Sequence, residues 1–369
     1  MDDKEKERFL PKPKRSWKRI LAFIIFIAIN AGVIIVTATS EFGNSSDATK
    51  LSEVELNWWL LIPAVICFVV AIIVDIYRYV LMIKKMYNDK KKAKKEQGKI
   101  WKVARRTVLL GKYYDSVTPA AIGGQPFQIY YMRKNSGLGH GESVSIPLVG
   151  MISNQIGFLI IAIICFLFSG VAYSKPALMV TAWFGLLFFA FWPVMLAGIS
   201  FFPKATTKFM KLFVKALAKI RIIKNREKAL SSIEKEVKEY SDSVKTILRE
   251  KGLFIRVIAL SVLFNSLIMS IPFFVLTAFG GDVGFFECFA LSVAVTSAVY
   301  FIPTPGNAGA AEGTFFLVFS SLSTGYVFWA MLFWRFFSYY IYIILGPIIY
   351  FSMHLEKKRL EKDAIKDQK

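Results

Sequence analysis

Two short stretches of this chain carry residue types that build a ligand site inside otherwise apolar sequence. One reads Ser116-Val-Thr-Pro-Ala-Ala-Ile-Gly-Gly-Gln-Pro-Phe-Gln-Ile-Tyr130, the other Tyr300-Phe-Ile-Pro-Thr-Pro-Gly-Asn-Ala-Gly-Ala-Ala-Glu-Gly-Thr314. Each has Thr-Pro, then Gly four residues after the Pro, then Gln125 or Glu312 a little further on. Proline has no backbone N–H and pushes the residue before it out of the helical region, so the chain must turn at Thr118-Pro119 and at Thr304-Pro305. Gly123, Gly124, Gly306, Gly309 and Gly313 allow left-handed backbone and close approach. A half-helix then starts near Gln125 and another near Ala310. The first N–H groups of each have no partner within the helix and sit at the positive end of its dipole. Such a terminus suits an anion, phosphate above all.

Among single side chains, Glu312 and Arg335 are the only charges, histidine aside, between Glu287 and Glu356. Arg335 lies about eight residues into its helix, ~12 Å deep at 1.5 Å per residue. Charges at that depth are paired or functional. Opposite signs predict a Glu312–Arg335 pair, either purely structural or able to meet a phosphate, proton, cation or amine. Gln125 and Gln128, one turn apart, offer hydrogen bonds without charge. Lys112, Asp115 and Arg133 flank the first loop and line its mouth. Asp75 and Arg78 lie near the end of their apolar run and are expected to snorkel to the interface. Asn154, Gln155 and Asn265 are expected to join helix to helix.

Catalytic chemistry finds little to use. Two histidines, His140 and His354, are too few for a histidine-based metal cluster. Cys67, Cys165 and Cys288 lie far apart in apolar runs and read as small core hydrophobes, without a disulfide or zinc pattern. Gly137-Leu-Gly-His-Gly-Glu142 lacks the Gly-Lys-Ser/Thr ending of a phosphate loop. No enzyme and no cofactor are expected.

The elements that hold the two loops are membrane helices. Hydrophobic residues make up 55% of the chain, with 34 Phe. Uncharged runs include Ile20–Ser40, Leu56–Val74, Ser143–Ser174, Pro176–Pro203, Val257–Gly281 and Phe336–Met353. Each is near or above the ~18–20 residues that cross a bilayer. The formal charge of +21 invites a nucleic-acid reading. Its distribution favours a membrane instead, because basic residues crowd Lys4–Arg19, Lys84–Arg106, Lys204–Arg256 and Lys357–Lys369. The positive-inside rule puts both termini and both long basic loops in the cytoplasm. The first run is too long for the apolar core of a signal peptide and reads as an uncleaved helix.

The expected fold is an all-α polytopic membrane protein. Six spans cover about 19–40, 56–83, 144–169, 176–202, 253–279 and 327–353, and the transmembrane domain runs from 19 to 353. Two broken, re-entrant segments occupy about 103–133 and 285–325, in an inverted repeat. Full double crossing of each broken segment is the alternative, and charge bias does not separate the two. Residues 203–251 form a cytoplasmic helical insert. Leu230, Ile233, Val237, Tyr240, Val244 and Ile247 make one apolar face, and a basic stripe precedes it. The insert reads as a connector with a solvated charged face rather than a lipid-surface helix. Basic tails cover 1–18 and 354–369.

At its two loops the chain resembles the lysylphosphatidylglycerol synthase transmembrane-region, or flippase-like, family. The residues that carry the likeness are Thr118-Pro119, Gly123-Gly124-Gln125-Pro126 and Gln128-Ile129-Tyr130-Tyr131, then Pro303-Thr304-Pro305-Gly306, Gly309 and Glu312-Gly313. The likeness runs over roughly 16–352. It implies a helical bundle that binds membrane lipids and flips them between leaflets. The best-known members carry a soluble aminoacyl transferase; this chain ends about 15 residues after its last span, so that activity is not carried over. Many relatives have an acidic residue where Gln125 stands, which turns the expectation toward an anionic or glycosylated head group.

The reading is therefore a lipid transporter of the bacterial cytoplasmic membrane, moving a phospholipid, glycolipid or lipid-linked phosphate, with proton or cation coupling in view. Its site is expected at Thr118, Pro119, Gly123, Gly124, Gln125 and Gln128 with Thr304, Pro305, Gly306, Gly309, Glu312 and Arg335. The alternatives are an ion-coupled transporter of a small soluble anion and a non-transporting membrane partner of a lipid-modifying enzyme.

Overall fold

The computed structural model describes residues 56–89, 98–118, 123–170, 175–208, 211–212, 237–238, 241–242, 244–245, 247, 249–300, 302, 304–320 and 327–366. The expected first span, the N-terminal basic tail, Pro119 and most of the 203–251 insert fall outside them, as do the last three residues of the C-terminal tail. The described residues form helices and no β-strand. In chain order they are α1 (Trp58–Asp89), α2 (Ile100–Val117), α3 (Gly124–Asn135), α4 (His140–Phe168), α5 (Pro176–Phe201), α6 (Lys251–Ala278), α7 (Phe285–Val299), α8 (Ala310–Phe319) and α9 (Val327–Arg335). A π-helical turn, Phe336–Tyr340, then joins α9 to α10 (Ile341–Lys366) without a break.

Five stretches are long and apolar enough to cross a membrane: Trp58–Asn88, His140–Phe168, Pro176–Met195, Lys251–Ala278 and Val327–Glu356. They match the five expected spans that the structure describes. Their outer faces stay apolar, as at Ile62, Val69, Leu167, Phe184, Leu187 and Val194, which suits a lipid surround. The Pro at the start of α5, Pro176, occupies the first helical position, where its missing N–H costs nothing. Buried hydroxyls such as Ser153, Ser261, Ser292 and Ser297 return their hydrogen bonds to carbonyls one turn back, so they need no outside partner.

α1 and α6 lie antiparallel as the central pair. At one end Asn57 N–H reaches the Ala278 carbonyl at 3.0 Å. At the other Lys85 meets Glu250 at 2.9 Å. Small residues let the helices close up. Gly157 of α4 lies against Ser261 of α6, and Gly185 of α5 against the Ser297 carbonyl of α7, so closely that a Cβ has no room. Asn265 of α6 donates to Asn154 of α4 at 3.1 Å, the expected helix-to-helix bond. Of the insert's apolar face, Val244 and Ile247 are buried with Met86, Tyr87 and Ile100 at the Lys85 end of the bundle.

The two broken segments are helical hairpins. α2 and α3 pack together and both of their outer ends lie at the Lys85 end. Tyr87 of α1 donates to the Ser136 carbonyl just past α3. Near the start of α2, Lys102 and Arg106 both pair with Glu356 of α10. The second hairpin, α7 and α8, opens at the opposite end, where Phe285 packs edge-on to Phe273 of α6. α8 leaves its tip alongside α9, with Phe315 stacked on Trp334 at 4.6 Å.

Candidate functional site

Both hairpin tips rest against one short stretch of the last long helix. Tyr339 packs on Gly306 in the second tip, and Gly346 packs on Tyr113 of α2, the helix that leads into the first. Between them Tyr342 lies 5.6 Å from the Lys112 ammonium. The π-helical turn Phe336–Tyr340 therefore lies where the tips approach. Turns of this kind recur at functional sites because they aim side chains that a regular helix would not.

The second tip is built around the expected ion pair. Arg335 Nε donates to Glu312 Oε1 at 2.6 Å, and the two side chains are 5% and 2% exposed. Arg335 Nη2 reaches the Gly306 carbonyl at 3.2 Å. The guanidinium also sits 4.5 Å from the centroid of the Tyr339 ring. The other carboxylate oxygen of Glu312 accepts the Gly309 N–H at 2.7 Å, capping α8. Gly306, Asn307 and Gly309 have φ of 57°, 56° and 88°. Gly306 needs its type twice over, for the positive φ and because a Cβ would enter the Tyr339 ring. Thr304 Oγ1 donates to the Ala308 carbonyl at 2.9 Å, and the Pro305 carbonyl accepts the Ala308 N–H at 3.0 Å.

The first tip follows the same plan with different residues. Thr118 Oγ1 donates to the Tyr114 carbonyl at 2.6 Å and accepts the Gly123 N–H at 2.9 Å. Asp115 Oδ1 accepts the Gly124 N–H at 2.9 Å. A carboxylate thus sits at the N-terminus of each half-helix, Asp115 on α3 and Glu312 on α8. This corrects the expectation of two bare helix ends waiting for a phosphate: part of each positive terminus already holds a protein anion. It also changes the meaning of Gln125. The carboxylate absent there is supplied in space by Asp115, nine residues before the helix it caps. Gln125 is half-buried. Gln128 is buried and accepts the Tyr79 hydroxyl at 3.0 Å, which joins α3 to α1.

Asp75 and Arg78 are the second correction. They do not snorkel; each is 3% exposed. They pair with each other, and Arg78 Nη1 donates to Ser261 of α6. Lys112 of α2 lies 3.3 Å from Asp75 and 4.6 Å from the centroid of the Phe264 ring. The physical reason is packing: α1 is covered by α6 and α2 at this level, and a buried pair of opposite charges costs less than one buried charge alone. The signal was present in sequence, since charges spaced i,i+3 inside an apolar run face the bundle. Lys112 and Asp115, placed only at the loop mouth by sequence, turn out to connect this network to the first tip. Gln155 of α4 donates to the Tyr300 hydroxyl at 3.2 Å, tying α4 to the second loop.

The described residues contain no group of three or more His, Cys, Asp or Glu placed to hold a metal ion. What the arrangement offers is paired, buried charge and two half-helix tips near a shared helix, within a multi-pass membrane protein.

Residues 19–346 match the family described as "Lysylphosphatidylglycerol synthase TM region". That is most of the chain, and the protein belongs to this family. No curated protein and no solved structure matches the chain.

Proposed function

We propose that this protein is a lipid transporter that moves a phospholipid, glycolipid or lipid-linked phosphate between the leaflets of a bacterial cytoplasmic membrane, with both termini on the cytoplasmic side. The observation that carries the proposal is the approach of two helical hairpins from opposite ends of the bundle to one segment of α9–α10, from Arg335 to Gly346. Hairpins of opposite polarity meeting inside the bilayer are what an inverted-repeat transporter uses to build its site and to open it alternately to each side. Broken backbone is tolerated at that depth only where protein or a wet cavity surrounds it. On this reading both hairpins are re-entrant. Membership of a family described by a lipid-synthase membrane region supports a lipid as the cargo.

The test is lipid movement by the purified protein in liposomes, followed by chemical quenching of a fluorescent lipid in the outer leaflet. Wild type should speed exchange well above protein-free liposomes. Arg335→Ala should abolish it while the protein still inserts, because the second tip loses the cation that holds Glu312 and Gly306. Normal exchange by that variant sinks the assignment of the site, and no exchange by wild type sinks the function.

A further inference from the structure

The charges around the tips differ in how committed they are. Glu312 and Arg335 are buried and spent on each other and on the second loop. Asp75 and Arg78 are equally buried and paired. Lys112 and Asp115 are different. Lys112 retains 25% exposure of its side chain, and its contact is to an Asp75 that already has Arg78. Asp115 is half-buried, and only its Oδ1 takes a donor, the Gly124 N–H, among the described residues. The two sit one turn apart on α2, with Cβ atoms about 5–6 Å apart at that spacing.

Three further observations bear on what fits there. The charges sum to zero: Asp75 and Asp115 against Arg78 and Lys112, and Glu312 against Arg335. A head group of net charge would leave one charge uncompensated at low dielectric, whereas a net-neutral one with separated charges would not. Arg78 Nε, in the same network as Lys112, is buried and has no acceptor among the described residues, so the cationic side lacks an anion's oxygen. Tyr114, next to Asp115 in sequence, belongs to a cluster of partly exposed rings: it stacks on Phe127 at 4.3 Å, with Tyr350 6.4 Å and 6.1 Å from these two. Aromatic faces favour an ammonium over an uncharged donor.

We infer that Lys112 and Asp115 form a paired-charge site for a zwitterionic aminophospholipid, with the phosphodiester at Lys112 and the primary ammonium at Asp115. The inference rests on the lipid-transport reading and gives it a substrate class. It differs from the anionic or glycosylated head group expected from Gln125, because Asp115 restores the carboxylate.

The test uses the full chain in liposomes with acyl-labelled phosphatidylethanolamine, phosphatidylglycerol and glucosyl diacylglycerol as separate probes. Wild type should move phosphatidylethanolamine about tenfold faster than the other two, the worth of one charge-assisted hydrogen bond. In Asp115→Asn the phosphatidylethanolamine-to-phosphatidylglycerol ratio should fall to about one. The asparagine oxygen still accepts the Gly124 N–H, so the hairpin is kept and only the charge is lost. Lys112→Gln, a second variant, should erase the preference for phosphatidylethanolamine over the glycolipid. Equal rates for all three probes in wild type, or a ratio unchanged in Asp115→Asn, overturn the inference and leave lipid transport standing. Absence of movement for every probe overturns the transport reading and this inference with it.

Discussion

Removing the guanidinium of Arg335 tests whether the second tip is held by its ion pair. In Arg335→Met, Glu312 stays 2% exposed and keeps one hydrogen bond, from the Gly309 N–H, while Oε1 and the Gly306 carbonyl lose their donors. An uncompensated buried charge of this kind costs about 3–5 kcal/mol. The double variant Glu312→Gln/Arg335→Met behaves differently. An amide at 312 needs no cation, and it still presents an oxygen to Gly309. The double should therefore cost no more than Arg335→Met alone, a coupling that only contacting residues show. The assay is equilibrium unfolding of detergent-solubilised protein against denaturing detergent, read by circular dichroism on all variants of the cycle. A cost below about 1 kcal/mol for Arg335→Met would refute the reasoning, because it would place the pair in the range of solvated surface bridges. Additive costs would refute it equally.

Two further outcomes are expected. Gly306→Ala should lower the thermal midpoint, since φ of 57° strains any Cβ and the Tyr339 ring occupies its space, with a loss of about 1–3 kcal/mol; an unchanged midpoint would show that the second tip relaxes freely. In a cysteine-free background, Lys99→Cys before α2 and Asn135→Cys at the end of α3, both exposed, should react with an impermeant maleimide from the same side of the membrane. Labelling from opposite sides would mean that the first broken segment crosses once from end to end, and would remove the re-entrant reading.

Much of the architecture was legible in sequence because a bilayer imposes it locally. A span must be apolar for its whole length, so composition alone marks α1, α4, α5, α6 and α9–α10. The breaks were equally legible, because Thr118-Pro119 and Thr304-Pro305 act on their own backbone. The start of α8 at Ala310 agrees with the sequence expectation, and α3 starts at Gly124, one residue before it. The Glu312–Arg335 pair followed from scarcity, since opposite charges isolated in a long apolar stretch have few other partners.

The sequence by itself determined which segments enter the membrane, where two of them break, and which charges are stranded at depth, since each depends only on neighbours along the chain. Tertiary structure decided how those charges are used. Asp115 caps a helix nine residues away, Lys112 of α2 reaches Asp75 of α1, and Ser261 of α6 completes the Arg78 site across 183 positions of sequence. Tyr339 and Gly346 bring the two tips to one helix. Such meetings depend on which helix faces are laid together, and in a bilayer every outward face is apolar too, so hydrophobic pattern does not distinguish the packed face from the lipid face.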